Sequence, residues 1–283
     1  FSLRGARPAP LKAIMDVVNS VGPDVVHITG PHLWNLPTLR ALTRRNIPTV
    51  HTLHDLQPHK GSPYGALLYE WNRQVLRRAD HVVVHSRLAE STAKAVAPNA
   101  RVTCMPLLHG FWGRALNAVA ACLADRATTP PAPLALFFGR LERYKGIDVL
   151  LRAWALARQR ITADARLVLA GSGDLARFWS ASLPLGVEHR TRHIADEEAL
   201  DLFRRCSVLV LPYTGATQSA LTAAAAYFHK PVIVSSSGAL SESVVPGKTG
   251  WIVPAGDHDA LADALATALA DVSRLESMGN AAR

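Results

Sequence analysis

Three cations crowd one short stretch, LALFFGRLERYKGIDVLL, between Leu134 and Leu151. The apolar run Leu134 to Phe138 ends at Gly139. Arg140, Arg143 and Lys145 follow, and Gly146 precedes Ile147, Val149, Leu150 and Leu151 at helical spacing. That order predicts a buried strand, a tight turn and a helix start. A parallel strand opens its carboxyl end onto a crevice where ligands bind. Clustered cations there attract an anion, and the helix N-terminus adds its own partial positive charge. The chemistry suggested is the binding of a phosphate or diphosphate. The same residues fit a solvated basic turn equally well.

Other residues could do chemistry. His51, His54 and His59 invite a metal reading. They straddle a strand and a loop, however, and His51 and His54 should point to opposite faces, which argues against a shared ion. Asp257-His258-Asp259 has the look of a DxD metal triplet, but it follows Pro-Ala-Gly and precedes a helical stretch, so an N-cap by Asp257 or Asp259 is expected. Gly171 and Gly173, after the apolar strand RLVLA, read by themselves as an ordinary strand-to-helix turn. Cys104, Cys122 and Cys206 are isolated; an odd number of scattered cysteines argues against a disulfide framework and for a reducing cytoplasm.

The elements that must position these residues alternate along the chain. Leu11, Ile14, Val18 and Val21 share a helical face that Gly22-Pro23 terminates. Residues 24–29 read as a short buried strand and 48–54, 80–85 and 101–105 as further strands, and helical stretches separate the first three. Ser86 is placed to cap a helix. Residues 125–133, DRATTPPAP, read as a linker, because prolines resist both helix and sheet. The rhythm resumes beyond it, with strands over 134–138, 166–170, 208–211, 231–235 and 251–253. Helices are expected after Asp196, which should cap its own, and over 219–228 and 257–270. Such alternation predicts parallel sheets wound by helices, as two doubly wound α/β domains at 1–125 and 134–283 joined by 126–133.

Composition narrows the class. Of the 283 residues 49% are hydrophobic, enough for two cores, and no apolar run approaches the roughly 20 residues of a membrane span. The net charge of +9 is uneven: residues 1–130 carry 15 Lys and Arg against 7 Asp and Glu. A cationic first half suits an anionic membrane surface or a phosphorylated acceptor, and it also fits a generally basic composition. No helix-turn-helix, zinc-finger or RNP-type signature accompanies the charge, so nucleic acid is not expected as a partner.

As a set, the second-half stretches FFGRLERYKGIDVLLRAWA, RLVLAGSGDL, HIADEEALDLFRRCSVLVLPY, KPVIVSSSGALSESV and PGKTGWIVPAGD resemble the donor domain of glycosyltransferase family 4, with the GT-B fold. PDVVHITGPHLWNLP, IPTVHTLHDL and ADHVVVHS resemble the acceptor domain of the same proteins. Both ends look clipped relative to the family. The resemblance implies two Rossmann-like domains facing a cleft and a retaining transfer from a nucleotide-diphosphate-sugar to a glycan, lipid or small-molecule acceptor. It places the diphosphate against Arg140 and Lys145, with Gly139 at the strand end and Gly171 and Gly173 thinning the floor of the site. No metal is expected, since the pair of cations takes its place. His54 matches the family's histidine at the reaction centre, where Asp55 would orient it. The location implied is the cytoplasm, with peripheral attachment to the inner membrane face as an option.

One departure stands out. The family's paired glutamates, eight positions apart, fall here on Ala216 and Ala224. The later one holds the nucleotide ribose and the earlier one contacts the donor sugar. Between and beside them remain Gln218, Ser219 and the backbone N–H groups of Ala220 and Leu221, placed where a helix start would meet phosphate. Glu242 either touches the nucleotide or caps the next helix. Loss of both carboxylates leaves a second expectation open, a non-catalytic relative that binds a nucleotide or glycan or supports a partner enzyme.

Overall fold

A computed structural model describes residues 9–57, 64–107, 132–161 and 164–282. The chain divides into two compact units, Phe1–Pro106 and Leu107–Arg283. The expected linker over 126–133 lies, up to residue 131, outside the described residues, as do His59 and Cys122.

In the first unit, β1 (Val26–Ile28), β2 (Thr49–Thr52), β3 (His81–Val84) and β4 (Val102–Cys104) form a parallel sheet in sequence order. Helices Ala9–Val21, Asn35–Thr43, Gly65–Arg78 and Arg87–Val96 connect or flank these strands. The first helix ends at Gly22, whose φ of +59° suits glycine, free of a Cβ. Ser86 caps helix Arg87–Val96, accepting a hydrogen bond from the Ala89 N–H at 3.0 Å. One expectation fails. The first strand is not buried: His27 is exposed and its neighbours only half-buried. It stands at the end of the described strand order, with a single neighbour.

The second unit holds a six-stranded parallel sheet of β5 (Leu134–Phe138), β6 (Arg166–Ala170), β7 (Val187–Arg190), β8 (Val208–Leu211), β9 (Val232–Ser235) and β10 (Gly250–Val253). Their spatial order is β10-β9-β8-β5-β6-β7. The chain therefore winds outward from β5 in one direction and, from β8, in the other. The β5–β8 boundary is the topological switch point of the sheet, the place where open α/β sheets commonly bind ligands. Helix Ile147–Arg158 buries Ile147, Leu150, Leu151 and Trp154 completely in this unit's core. Each such side chain contributes about 1.5–3 kcal/mol of transfer free energy, and the Trp154 indole N–H is satisfied by Leu185 O at 2.9 Å.

Asp257 caps helix His258–Ala270, accepting from the N–H groups of Asp259 and Ala260 at 3.0 and 2.9 Å. Asp196 does not cap its helix. Ala195 is the N-cap and Asp196 is the first residue inside, where its charge still favours the helix dipole. A last helix, Val272–Ala281, had no clear signal in the sequence. Cys104 and Cys206 are free thiols. No described helix is long and apolar enough to cross a membrane.

Candidate active site

The loop after β5 is built against the loop after β6. Gly139 N–H donates to Ala170 O and Leu141 N–H to Ser172 O, both at 2.8 Å. The approach is so close that a Cβ on Gly171 would stand 2.2 Å from Gly139 O, and one on Gly173 would stand 2.6 Å from the Leu141 Cβ. The turn that follows is a short 3-10 segment, Leu175–Arg177, not the α-helix the glycines suggested.

The loop after β5 also meets the loop after β8. Thr214 N–H donates to Tyr144 O at 2.7 Å. At this junction Lys145 is 9% exposed. Its Nζ lies 5.3 Å from the ring centroid of Tyr213 and 5.9 Å from that of Tyr144, and the two rings meet edge to face. A Cβ on Gly139 would stand 2.7 Å from that Nζ. Among the described residues no ion pair holds the Lys145 ammonium. Burial pushes its pKa down and Arg140 adds to this, while Glu142 opposes. Burial also pushes the Tyr213 phenol up to about 12 and the Tyr144 phenol up, the latter helped by Glu142, so both rings are neutral faces toward the cation.

The three cations of the turn are thus not equivalent. Arg140 is exposed and pairs with Glu142 at 3.2 Å, a partner the sequence reading left out, while Arg143 is exposed. Lys145 alone of the three is buried, and no carboxylate among the described residues forms an ion pair with it. Tyr213 was the residue missed. A tyrosine directly beyond a buried strand, in LPY, is the signal that could have found it.

A pocket of about 340 Å³ opens beside this junction. Gly139, Arg140, Gly171 and Ser172 line it from the strand ends, and Leu221, Ala224 and Phe228 from helix Ala220–Tyr227 and its C-cap. Helix Asp196–Arg205 and its lead-in supply the facing wall. Ala224, 2% exposed, therefore sits at the pocket. Ala216 lies in the loop before the helix, its N–H donating to Ser237 Oγ at 2.9 Å. Ser219 is the N-cap, and its Oγ accepts from the Leu221 N–H at 3.3 Å. Of the two amides expected for phosphate, that of Leu221 is thus already engaged by the cap. Gln218 precedes the cap, and neither it nor Ser219 or Ala220 lines the pocket. Glu242 is exposed within the 3-10 turn Leu240–Ser243; the chain then runs to β10 without another helix, so Glu242 caps none.

His54 belongs to the first unit. It is exposed just past β2, and its Nε2 lies 2.8 Å from Thr29 O; a carbonyl only accepts, so that nitrogen carries the proton. Asp55 follows, its backbone carbonyl accepting from Asn72. The ring of His54 is 5.3 Å from that of His85, whose Nδ1 contacts Met105 O at 2.9 Å. His51, one strand position before Thr52, is buried instead, and its Nε2 accepts from Asn35 Nδ2 at 2.8 Å. Burial pushes its pKa down to about 4, with His27 and His54 acting the same way and a hydrogen bond to the Thr52 backbone opposing.

This buried imidazole should make stability depend on pH. A base whose folded pKa lies below its unfolded 6.5 stabilises the fold above pH 6.5, and that stability is lost as pH falls toward 4. The expected loss is about 3 kcal/mol across that window. The variant His51→Gln, which keeps an acceptor for Asn35, should lose that pH slope. Urea unfolding of both proteins between pH 4.5 and 7.5 checks it, and identical slopes would refute it.

Comparison with known proteins places this geometry. Residues 132–271 match the family described as glycosyl transferases group 1, and residues 3–108 match a glycosyl transferase 4-like domain. The D-inositol 3-phosphate glycosyltransferase of Corynebacterium diphtheriae is 29% identical over 92% of this chain and 65% of its own length. The GDP-mannose-dependent alpha-(1-6)-phosphatidylinositol monomannoside mannosyltransferase of Mycolicibacterium smegmatis is 30% identical over 86% and 66%. The chain thus spans less than two thirds of the length of these relatives. Among solved structures, Anabaena Alr3699/HepE in complex with UDP-glucose superposes with a TM-score of 0.71 at 16% identity, covering 96% of this chain and 75% of that one, which shows the shared fold. With both units matched in order, the chain belongs to the group 1 glycosyl transferases, the family 4 type with the GT-B fold.

Proposed function

We propose that this protein is a retaining glycosyltransferase that moves a sugar from a nucleotide-diphosphate-sugar to a glycan, lipid or small-molecule acceptor. The observation that carries the reading is Lys145, a buried ammonium at a switch point with aromatic faces around it and no ion pair among the described residues. A departing nucleoside diphosphate develops negative charge, and a fixed, desolvated cation stabilises it more than water does. Arg140 would add a second, more mobile charge. For His54 we propose the role the resemblance gives it, a hydrogen bond to a donor-sugar hydroxyl. Nucleotide sugars also stand in the names of the mannosyltransferase relative and of the HepE complex.

The acceptor side rests on charge. The excess of positive charge in residues 1–130 suits an anionic acceptor or anionic lipid at the inner face of the membrane. Attachment to lipid should be salt-sensitive. Equal sedimentation with neutral and anionic vesicles at low salt would eliminate it.

Ala216 and Ala224 favour a second reading, a protein that binds nucleotide or glycan without turnover. Release of nucleoside diphosphate from a panel of nucleotide sugars by the full-length protein separates the two. The variant Ala216→Glu, Ala224→Glu should bind ribonucleotide sugars more tightly, because each restored carboxylate offers a charge-assisted hydrogen bond worth about 1.5–3 kcal/mol. No turnover in the parent, together with no gain in the variant, would leave the non-catalytic reading.

A further inference from the structure

The turn after β5 carries its own counter-ion. Glu142 Oε1 lies 3.2 Å from Arg140 Nη1, and Arg140 lines the pocket beside Gly139 whereas Glu142 does not. The backbone holds the carboxylate in this place. Lys145 N–H donates to Glu142 O at 2.9 Å, which closes the 3-10 turn Arg143–Lys145, and Tyr144 O accepts from Thr214 N–H at 2.7 Å. The Tyr144 hydroxyl donates to the Glu142 carboxylate, and its ring is one of the two faces against Lys145. One carboxylate therefore touches an exposed cation and also one of the rings that enclose a buried cation.

Two effects of that carboxylate oppose each other. An anion beside Arg140 occupies the guanidinium and repels an arriving phosphate, so it weakens binding. The same anion favours the ammonium form of Lys145, against burial and Arg140, so it preserves the buried charge. Tyr144 and Tyr213 are the other titratable groups against Lys145. Burial keeps both phenols neutral and Glu142 acts in the same direction, so neither adds charge. The Arg140–Glu142 pair itself is weak. With side chains 73% and 31% exposed, it is solvated and readily exchanged for another anion.

Resting on the diphosphate site proposed at Lys145, we propose that Glu142 is a positioning residue that exchanges with the diphosphate on Arg140. It pairs with the guanidinium before binding and after release, and a phosphate oxygen takes its place in between. Arg140 changes partner, whereas Lys145 keeps its position between the two rings. The carboxylate thus limits affinity for the departing nucleoside diphosphate and keeps the buried ammonium charged for the next one.

The test is a double-mutant cycle of Glu142→Gln and Arg140→Ala. It is read by calorimetric titration of the full-length protein with UDP and with GDP between pH 7 and pH 9.5. Gln keeps the size of the side chain and still accepts from the Tyr144 hydroxyl, so only the charge is lost. At pH 7 Arg140→Ala should cost a few-fold in the parent and about tenfold in the Glu142→Gln background, where the guanidinium is no longer shared. The fall of affinity on raising the pH should also begin at a lower pH in Glu142→Gln, because Lys145 has lost the anion that favours its charge. A merely structural role for Glu142 would move neither quantity. An equal cost of Arg140→Ala in both backgrounds, or an alkaline fall at an unchanged pH, would overturn the inference while leaving the diphosphate site in place. Failure of both UDP and GDP to bind the parent would overturn the diphosphate reading and this inference with it.

Discussion

Replacement of Lys145 by Ala should weaken binding of a nucleoside diphosphate by about 10- to 100-fold, the equivalent of roughly 1.5–3 kcal/mol for a charge-assisted hydrogen bond. The size of the effect comes from burial. Lys145 is 9% exposed, and its ammonium is packed between the rings of Tyr144 and Tyr213 without a carboxylate ion pair among the described residues. Water screens it little, and an arriving phosphate meets a cation with no paired anion. Arg140→Ala should cost only a few-fold, because Arg140 is 73% exposed and already shares its charge with Glu142. Affinity should also depend on pH in one direction. Burial lowers the Lys145 pKa, so the ammonium is charged at low pH and is lost on raising the pH sooner than an exposed lysine would be. Binding should therefore fall at alkaline pH in the parent, and Lys145→Ala should remove that dependence. Unchanged affinity in calorimetric titrations of both variants would reject the assignment.

Gly171→Ala should be strongly damaging to the second unit's binding loops. Its φ is +143°, a region that alanine enters only with strain, and the new Cβ would stand 2.2 Å from Gly139 O and 2.5 Å from Gly139 C. Both contacts are backbone and neither can rotate away. Strain and overpacking together put the cost on the order of 3 kcal/mol or more. The displaced segment is the one that carries Gly139 and Arg140, so affinity for diphosphate should fall along with stability. Gly256→Ala is the control. Its φ is +83°, but nothing lies within 4 Å of the new Cβ, so only the backbone term remains, about 1 kcal/mol. Thermal unfolding of the two variants should separate them clearly. Equal melting temperatures would show that the loops after β5 and β6 are not held together as described.

How much of this was legible in the chain depends on the range of the interaction involved. The strand over Leu134–Phe138, the helix after Gly146 and the cap at Asp257 are local. Apolar spacing, a glycine with positive φ and a carboxylate two and three residues from the amides it accepts from are all written within a few positions of one another. The parallel α/β class comes from the same alternation. The strand order does not. The β5–β8 adjacency joins segments about seventy residues apart, and periodicity carries no information about which strand lies beside which. That adjacency brings Tyr213 onto Lys145, and it distinguishes Lys145 from Arg140 and Arg143, which in the sequence look alike. The alanines at 216 and 224 were visible as residue types. Where each one points was decided by packing alone: helix Ala220–Tyr227 turns Ala224 toward the pocket, whereas the Ala216 backbone is drawn against Ser237 and Gly238. Asp196 and β1 failed for the same reason. The capping position depends on where the chain enters the helix, and a strand's burial depends on its neighbours, which local residue types do not name.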